Sequence, residues 1–382
     1  MTSKLEDLIA ELCPNGVEYK ALSDVSDMKR GTTVTKKSVN PGDIPVISGG
    51  REPAYYCDTS NRSGETITVA GSGAGAGFVQ YWDKPIFVCD AFSVNGVNDL
   101  TLTKFLYYVL LSKQEVIYAT KKGGGVPHVH ISSIKDFEIP VPPLDVQAEI
   151  VRILDTFTEL TAELTAELTA RKKQYEYYRD TLLTFDDNNP LHSLISRYCP
   201  NGVEYKKIGD IATLSRGKVM SKSFINDNSG EYPVYSSQTE NNGQFGAIST
   251  YMFDGKYVTW TTDGANAGTV FYRDGKFSVT NVCGVIDISD CQVDTKYVYY
   301  ALTIHAKNYV SSGMGNAKLM SNVMSKVTIP VPPLEVQRQI VQILDRFDAL
   351  CNDLTQGLPA EIEARRKQYE YYRNQLLTFK RA

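Results

Sequence analysis

The chain of 382 residues lacks any Cys-x-x-Cys pair, and its seven cysteines are an odd number scattered along its length. That argues against a structural zinc site and against a disulfide framework, and fits free thiols in a reducing cytoplasm. No apolar run reaches the roughly 18 residues that a membrane-spanning helix needs, and the opening MTSKLEDLIAELC has no apolar core of a secretion signal. Positive charge is not in excess either. Lysine and arginine number 40 against 44 acidic residues, for a net charge of −4. Global charge therefore leaves no footprint of nucleic-acid binding, so such a role needs local basic patches or a basic partner. Catalytic signatures are missing as well. There is no Asn/Asp-Pro-Pro-Tyr/Phe methyltransferase motif, no P-loop, and no nucleophile signature beside any of the four histidines. What is present is 42% apolar against 22% charged residues, enough to bury a real core across two to three domains.

The strongest positive signal is internal repetition. CPNGVEYK stands at 13–20 and again, unchanged, at 199–206. IPVPPL occurs at 139–144 and 329–334, and RKKQYEYYRDTLLTF at 171–185 returns as RRKQYEYYRNQLLTF at 365–379 with 12 of 15 positions identical. Three matches in one order make the chain a tandem duplication. Between these landmarks the halves agree weakly, in AGFVQYWDKPIFV at 76–88 against AGTVFYRDGKFSV at 267–279 and in KFLYYVL against KYVYYAL. One architecture is thus kept while the middle of each copy is rewritten.

Each middle reads as strand-rich. ETITVA, FVQYW, PIFVC and AFSVNGV are short β-branched or aromatic runs between Gly, Asn and Asp turn signals. KFLYYVLLSKQEVIYA at 104–119 has helical spacing. The Pro-Pro of IPVPPL then precedes the clearest element. From 146 to 183, Val146, Ile150, Leu154, Phe157, Leu160, Leu164, Leu168, Tyr175, Tyr178 and Leu182 share one helical face. The second copy, 336–379, builds the same stripe from residues that include Ile340, Leu344, Phe347, Leu354, Tyr372 and Leu376, with Gly357 and Pro359 expected to kink or break it. Matching stripes predict two long helices packed antiparallel about a pseudo-twofold axis. Within the first, TAEL at 161–164 and 165–168 is a unit close to one helical turn. The second copy is four residues longer between matching landmarks, which reads as a helix length adjustable in whole turns.

The repeat, the CPNGVEYK opening, IPVPPLDVQAEIVRILD and IPVPPLEVQRQIVQILD before long helices, the TAELTAEL spacer and RKKQYEYYRDTLLTF together resemble the specificity (S) subunit of type I restriction-modification enzymes. The resemblance covers essentially the whole chain. It implies an α+β tandem repeat of two mixed α/β target recognition domains, linked and separated by two long antiparallel, coiled-coil-like helices. The expected division is 1–145 and 188–335 for the recognition domains, with 146–187 and 336–382 as spacer helices. It also implies a cytoplasmic, DNA-binding, non-catalytic subunit without a cofactor. Each domain would read one half of a bipartite double-stranded DNA target. The helices would set the spacing and dock two methyltransferase (M) subunits, and restriction/translocase (R) subunits would join through the complex. Adenine methylation and cleavage would belong to those partners. One departure is visible: Val146 and Val336 precede the glutamine where the resemblance leads one to expect an acidic residue.

Candidate contacts come from residue type and position. Lys29, Arg30, Lys36 and Lys37 in the first copy match Arg216, Lys218 and Lys222 in the second, each set mixed with Ser/Thr. Lys121, Lys122, His128 and His130 flank a glycine run (Gly123 to Gly125), and Lys318 stands where His128 does, near Gly313 and Gly315. Such side chains suit phosphate or base edges, but they equally suit a plain surface loop. Gln238, Asn241 and Asn242 have the amides that pair with adenine, and equally the chemistry that caps turns. His128-x-His130 has no acidic or cysteine partner at ligand spacing, so no metal site is expected. Tyr177 and Tyr371 fall opposite the apolar stripe at equivalent places, as a pair of partner-docking anchors would. Two other readings stand beside this one. Gly71 to Gly77 loosely matches a dinucleotide fingerprint, which would make the chain a cofactor-binding enzyme; strands on both sides favour a turn instead. Alternatively the helices form a scaffold whose two globules bind something other than DNA.

Overall fold

The computed structural model describes residues 3–97, 99–123, 125–311, 316–353 and 355–382. The stripe position Leu354 and the loop glycines Gly124, Gly313 and Gly315 lie outside the described residues. Two compact units emerge: Met1–Thr165 together with Glu361–Ala382, and Ala166–Ala360. The long helix Leu144–Leu182 begins in the first unit and ends in the second. Each unit therefore holds the start of one long helical segment, the end of the other, and one strand-rich globule.

In the first unit, Ser26–Arg30, Ala91–Gly96, Thr66–Ala70 and Val79–Trp82 form a four-stranded antiparallel sheet in that order. A separate three-stranded sheet holds Tyr55–Cys57, Ile44–Ile47 and Phe87–Val88. The second unit fuses the corresponding pieces into one six-stranded sheet. In the first copy the chain leaves the ladder between Trp82 and Phe87, where Pro85 stands, and resumes it at Ile86 opposite Arg62. Lys276 takes the place of Pro85 in the second copy, where it pairs with Asp254 inside the continuous strand Val270–Val279.

A helix covers each main sheet, Thr103–Ser112 in one unit and Thr295–His305 in the other. Phe105, Leu106 and Tyr108, like Tyr297, Val298 and Tyr300, are buried against strand residues such as Val69 and Trp260. The same helix then latches onto the long helical segment of its unit. Tyr108 donates to Asp155 at 2.5 Å and Lys104 pairs with Asp155 at 2.8 Å; Tyr300 and Lys296 repeat this with Asp345 at 2.6 and 2.9 Å. Burial, then the hydrogen-bonded carboxylate, hold both phenols well above their usual pKa.

IPVPPL leads into a buried glutamine. Gln147 accepts from the Leu102 N–H at 2.9 Å and donates to the Leu100 and Pro142 carbonyls at 2.8 Å. Gln337 accepts from the Asp294 N–H and donates to the Gln292 and Pro332 carbonyls. The neighbouring Val146 and Val336 are fully buried, which accounts for valine in place of the expected acidic residue: a carboxylate there would be desolvated without a partner. Replacing Gln147 or Gln337 with alanine strands one N–H and two carbonyls. We expect a loss of about 3 kcal/mol in urea denaturation; a change below about 1 kcal/mol would mean that water replaces the amide.

Helical segments pair antiparallel inside each unit. Phe157 stacks on Tyr372 with ring centroids 5.5 Å apart, while Arg381 reaches Glu138, before the helix start, at 3.0 Å. Tyr178 stacks on Phe347 at 5.2 Å in the second unit. The second helix is broken, as Gly357 and Pro359 suggest, into Leu334–Asn352 and Leu358–Leu376. The expectation of whole-turn length changes fails there. The four additional residues coincide with a non-helical stretch in which Asp353 Oδ1 accepts from the Thr355 and Gln356 N–H groups. They add no helical turn.

Glu149 gives the first unit a charge the second lacks, since Gln339 is its counterpart. Its side chain is 2% exposed and accepts from Lys4 at 2.9 Å and from Arg152 at 2.6 Å. The Arg152 hydrogen bond, with help from Lys4, holds its carboxyl down at about 2 against an ordinary 4.5. Because the folded value is the lower one, the stabilisation is complete above pH 4.5 and disappears as pH falls towards 2. Glu149→Gln should flatten the urea midpoint over that window relative to the parent chain. An identical pH slope in both would show that the pair contributes nothing.

Candidate nucleic-acid interface

In the first unit the sheet delivers Arg30 to its own edge. Gly31 comes next, and its N–H donates to the Ala91 carbonyl at 2.9 Å, so closely that a Cβ would sit 2.2 Å from the Cys89 oxygen. Arg62 fixes this corner by donating to the Arg30 carbonyl at 3.0 Å and to Ser93 at 2.7 Å. Across from it, Lys122 and His128 exchange main-chain hydrogen bonds of 3.0 and 2.8 Å, closing the glycine loop. Two further bonds, Gly73 N–H to Pro127 and Val129 N–H to Gly71, tie that loop to the glycine run. The result is a cleft of about 410 Å³ lined by Arg30, Thr33, Gly71, Asp90, His128 and His130. The two histidine rings stack 5.8 Å apart with 7° between their planes. Asp90 accepts a short hydrogen bond from Ser72.

The second unit repeats this main-chain frame. Gly264 N–H donates to Ala317, and Leu319 N–H to Thr262, in the places of the Gly73 and Val129 bonds. Lys318 pairs with Asp263 and Ser311 as His128 pairs with Ser72 and Lys122. The side chains differ. Lys318 and Met320 replace the histidine pair, and Arg216 bonds Thr262 at 3.0 Å and approaches Asp263 at 3.6 Å. One scaffold thus displays two unlike surfaces.

The remaining candidates divide. Lys36 and Lys37 are exposed on the loop after Gly31, and no ion pair holds them among the described residues. Lys29 is paired with Asp27, and Lys121 lies 4.2 Å over the Tyr118 ring. Lys218 pairs through its backbone with Thr280, while Lys222 starts the helix Lys222–Asp227, capped by Ser221. Gln238 is spent on the turn, donating to the Gln244 carbonyl. Asn241 and Asn242 adopt left-handed backbone at φ 48 and 53, as a turn requires, and their side chains stay exposed. Gly71 to Gly77 also builds a turn between strands, and Gly77 N–H returns to Ala70 at 2.7 Å. No helix starts there to cradle a phosphate.

Sequence reasoning missed the supports. Arg62 reads as an isolated surface charge. Arg273, beside Asp274, reads the same way, yet it is 3% exposed, lies 3.5 Å over the Tyr235 ring, and donates to the Asn242 carbonyl at 2.9 Å and to Thr259 at 3.1 Å. Desolvation lowers its pKa. It anchors the loop that carries Asn241 and Asn242. Tyr177 and Tyr371 are where the helical wheel puts them, 66% and 59% exposed, each edge-on to the next tyrosine. Among the described residues no helix is long and apolar enough to cross a membrane, and no acidic, histidine or cysteine group forms a metal cluster.

Duplicated frames with divergent loops define a protein with two recognition modules. The family model for the type I restriction modification DNA specificity domain matches residues 14–171 and 200–364. A putative type I specificity subunit of Mycoplasma pneumoniae is 40% identical over 254 residues, covering 66% of this chain and 91% of that protein. A putative type I restriction enzyme specificity subunit of Haemophilus influenzae is 32% identical over 390 residues, covering 95% and 96%. The crystal structure of the S subunit of a type I restriction-modification system from M. genitalium superposes with a TM-score of 0.69 at 19% identity, covering 95% and 97% of the two chains, a likeness of fold. The chain belongs to the type I restriction-modification DNA specificity family.

Proposed function

We propose that this chain is the sequence-reading subunit of a type I restriction-modification complex. Residues 1–145 and 188–335 each read one half of a split DNA target, and 146–187 with 336–382 set the distance and dock two methyltransferase subunits. Methylation of adenine and cleavage of unmodified DNA are the work of the partners; R subunits enter through the assembled complex. The observation that carries this reading is the repeated frame with exchanged side chains: His128 and His130 on one copy, Lys318 and Met320 on the other. A shared frame positions backbone against the duplex, and different side chains read different edges. With a net charge of −4, the chain leans on basic surface from its partners for most of its phosphate affinity.

The test uses the chain co-purified with its methyltransferase. Arg30→Ala with His130→Ala should relax selectivity at one half-site by about tenfold or more, leaving the other half read normally; Lys318→Ala should act on the opposite half. Loss of discrimination at both halves from either variant would contradict separate reading. Tyr177→Asp with Tyr371→Asp should abolish co-purification of M while circular dichroism stays unchanged. Normal co-purification would remove these tyrosines from the docking surface.

A further inference from the structure

The eight residues CPNGVEYK are identical at 13–20 and 199–206, yet the two copies have different neighbours. In the first unit a strand lies on them. Val17 N–H donates to the Lys380 carbonyl at 2.8 Å, and Ala382 N–H donates back to Val17 at 3.1 Å, in parallel pairing. Tyr19 donates to the Phe379 carbonyl at 3.1 Å, and the Arg381 guanidinium sits 4.4 Å over the Tyr19 ring. Gly16, at φ +100, is indispensable here because a Cβ would lie 2.7 Å from the Lys380 oxygen. Val17 is left 3% exposed.

In the second unit the same receptor is uncovered. Phe185 corresponds to Phe379 and packs on its core likewise. After it, however, the chain turns away: Asn189 donates to the Leu182 and Thr184 carbonyls and directs the backbone into the helix His192–Tyr198. Nothing among the described residues replaces 380–382. The main-chain groups of Val203 have no partner among the described residues, and a Cβ on Gly202 would meet nothing within 4 Å. Tyr205 is 58% exposed. Beside them opens a cleft of about 430 Å³ lined by Pro200, Asn201, Gly202, Glu204, Lys206 and Pro332.

We propose that the Gly202–Tyr205 edge is a strand-acceptor site that takes an extended segment of a partner protein, parallel to Val203, with an arginine or lysine over the Tyr205 ring. The occupied copy defines the chemistry: two main-chain hydrogen bonds supply the hold, and the cation over the ring supplies the preference. The ion pair that Arg381 makes with Glu138 has no equivalent, since Thr328 stands at that place. Binding of an isolated segment is therefore weak, and gains from being tethered within an assembly. A second copy of this chain is a poorer occupant, because its own residues 380–382 are already engaged in its first unit.

The probe is a synthetic peptide of residues 377–382 carrying a photo-crosslinker at the arginine, titrated onto the full chain. Saturable binding with cross-links at 202–205 is expected. Tyr205→Leu should weaken it at least fivefold, whereas Tyr205→Phe, which keeps the ring, should retain it. The proposal fails if no saturable binding occurs at millimolar peptide, if cross-links map only to 16–19, or if Tyr205→Leu binds like the parent. It also fails if the full chain self-associates through 380–382, shown by an association that deletion of those residues abolishes, since the occupant would then be a second copy.

Discussion

Exchanging residues 207–328 for the same span of a related chain should change one half of the methylated sequence and leave the other half intact. The fold makes this exchange clean. Lys207 pairs directly with Thr328, and Lys206 with Ile329, in the two-stranded ribbon at the base of the second globule. Both junctions thus fall opposite each other on one ribbon, and the frame that ties the block to the long helical segment starts from Gln337 and Asp345, both outside it. Its partners inside the block are the main chain at Gln292 and Asp294 and the side chains of Lys296 and Tyr300, so the donor must keep a Lys and a Tyr at the last two positions. Specificity should move with the block by several kcal/mol, as each mismatched base pair costs about 1–3 kcal/mol. If both halves of the recognised sequence change together, the globules do not read independently.

Inserting one further TAEL after Leu168 should lengthen the unread gap by one base pair while both half-sites stay the same. The helix is continuous through this stretch, and its threonines repeat one bond: Thr161 donates to Phe157 and Thr165 to Thr161, each at 2.8 Å. Four residues add about 6 Å and rotate the downstream part of the helix by only about 40°. DNA rises about 3.4 Å and turns about 34° per base pair, so one pair is the increment that costs least twist. An insertion of two residues instead rotates the downstream part by about 200°. Tyr178 would then leave its stack on Phe347, and assembly should weaken. An unchanged gap in an active TAEL variant would mean that the methyltransferase subunits, and not this helix, position the globules.

Much of the architecture is legible because it is written in periodic or repeated residues. The stripe through Ile150 and Leu154 marks the long helix, Gly357 and Pro359 mark its broken counterpart, and the glycines at 71–77 read correctly as a turn. Other features show only once the strands are paired. The sheet is split near Pro85 and whole at Lys276, whereas pattern reading places Pro85 at the head of the strand run PIFVC and shows no difference between the copies. The four extra residues of the second copy look like a helical turn when only length is visible; Asp353 capping the break is not visible in that count. At the candidate interface residue type finds the exposed cations, whereas it misses Arg62 and Arg273, as it misses Gln147 at the start of the long helix. Each is a polar side chain whose role is fixed by carbonyls distant in sequence, such as Asn242 for Arg273, and no local spacing announces that. The vacant receptor at Val203 is invisible for the same reason, as its sequence is identical to the occupied one.

The most direct measurement is single-molecule mapping of methyladenine in cells that express the methyltransferase with and without this chain. The account predicts one split motif, two defined halves separated by an unread gap of fixed length, present only when the chain is present. An unbroken motif, a gap of variable length, or the same methylation pattern without the chain would contradict it.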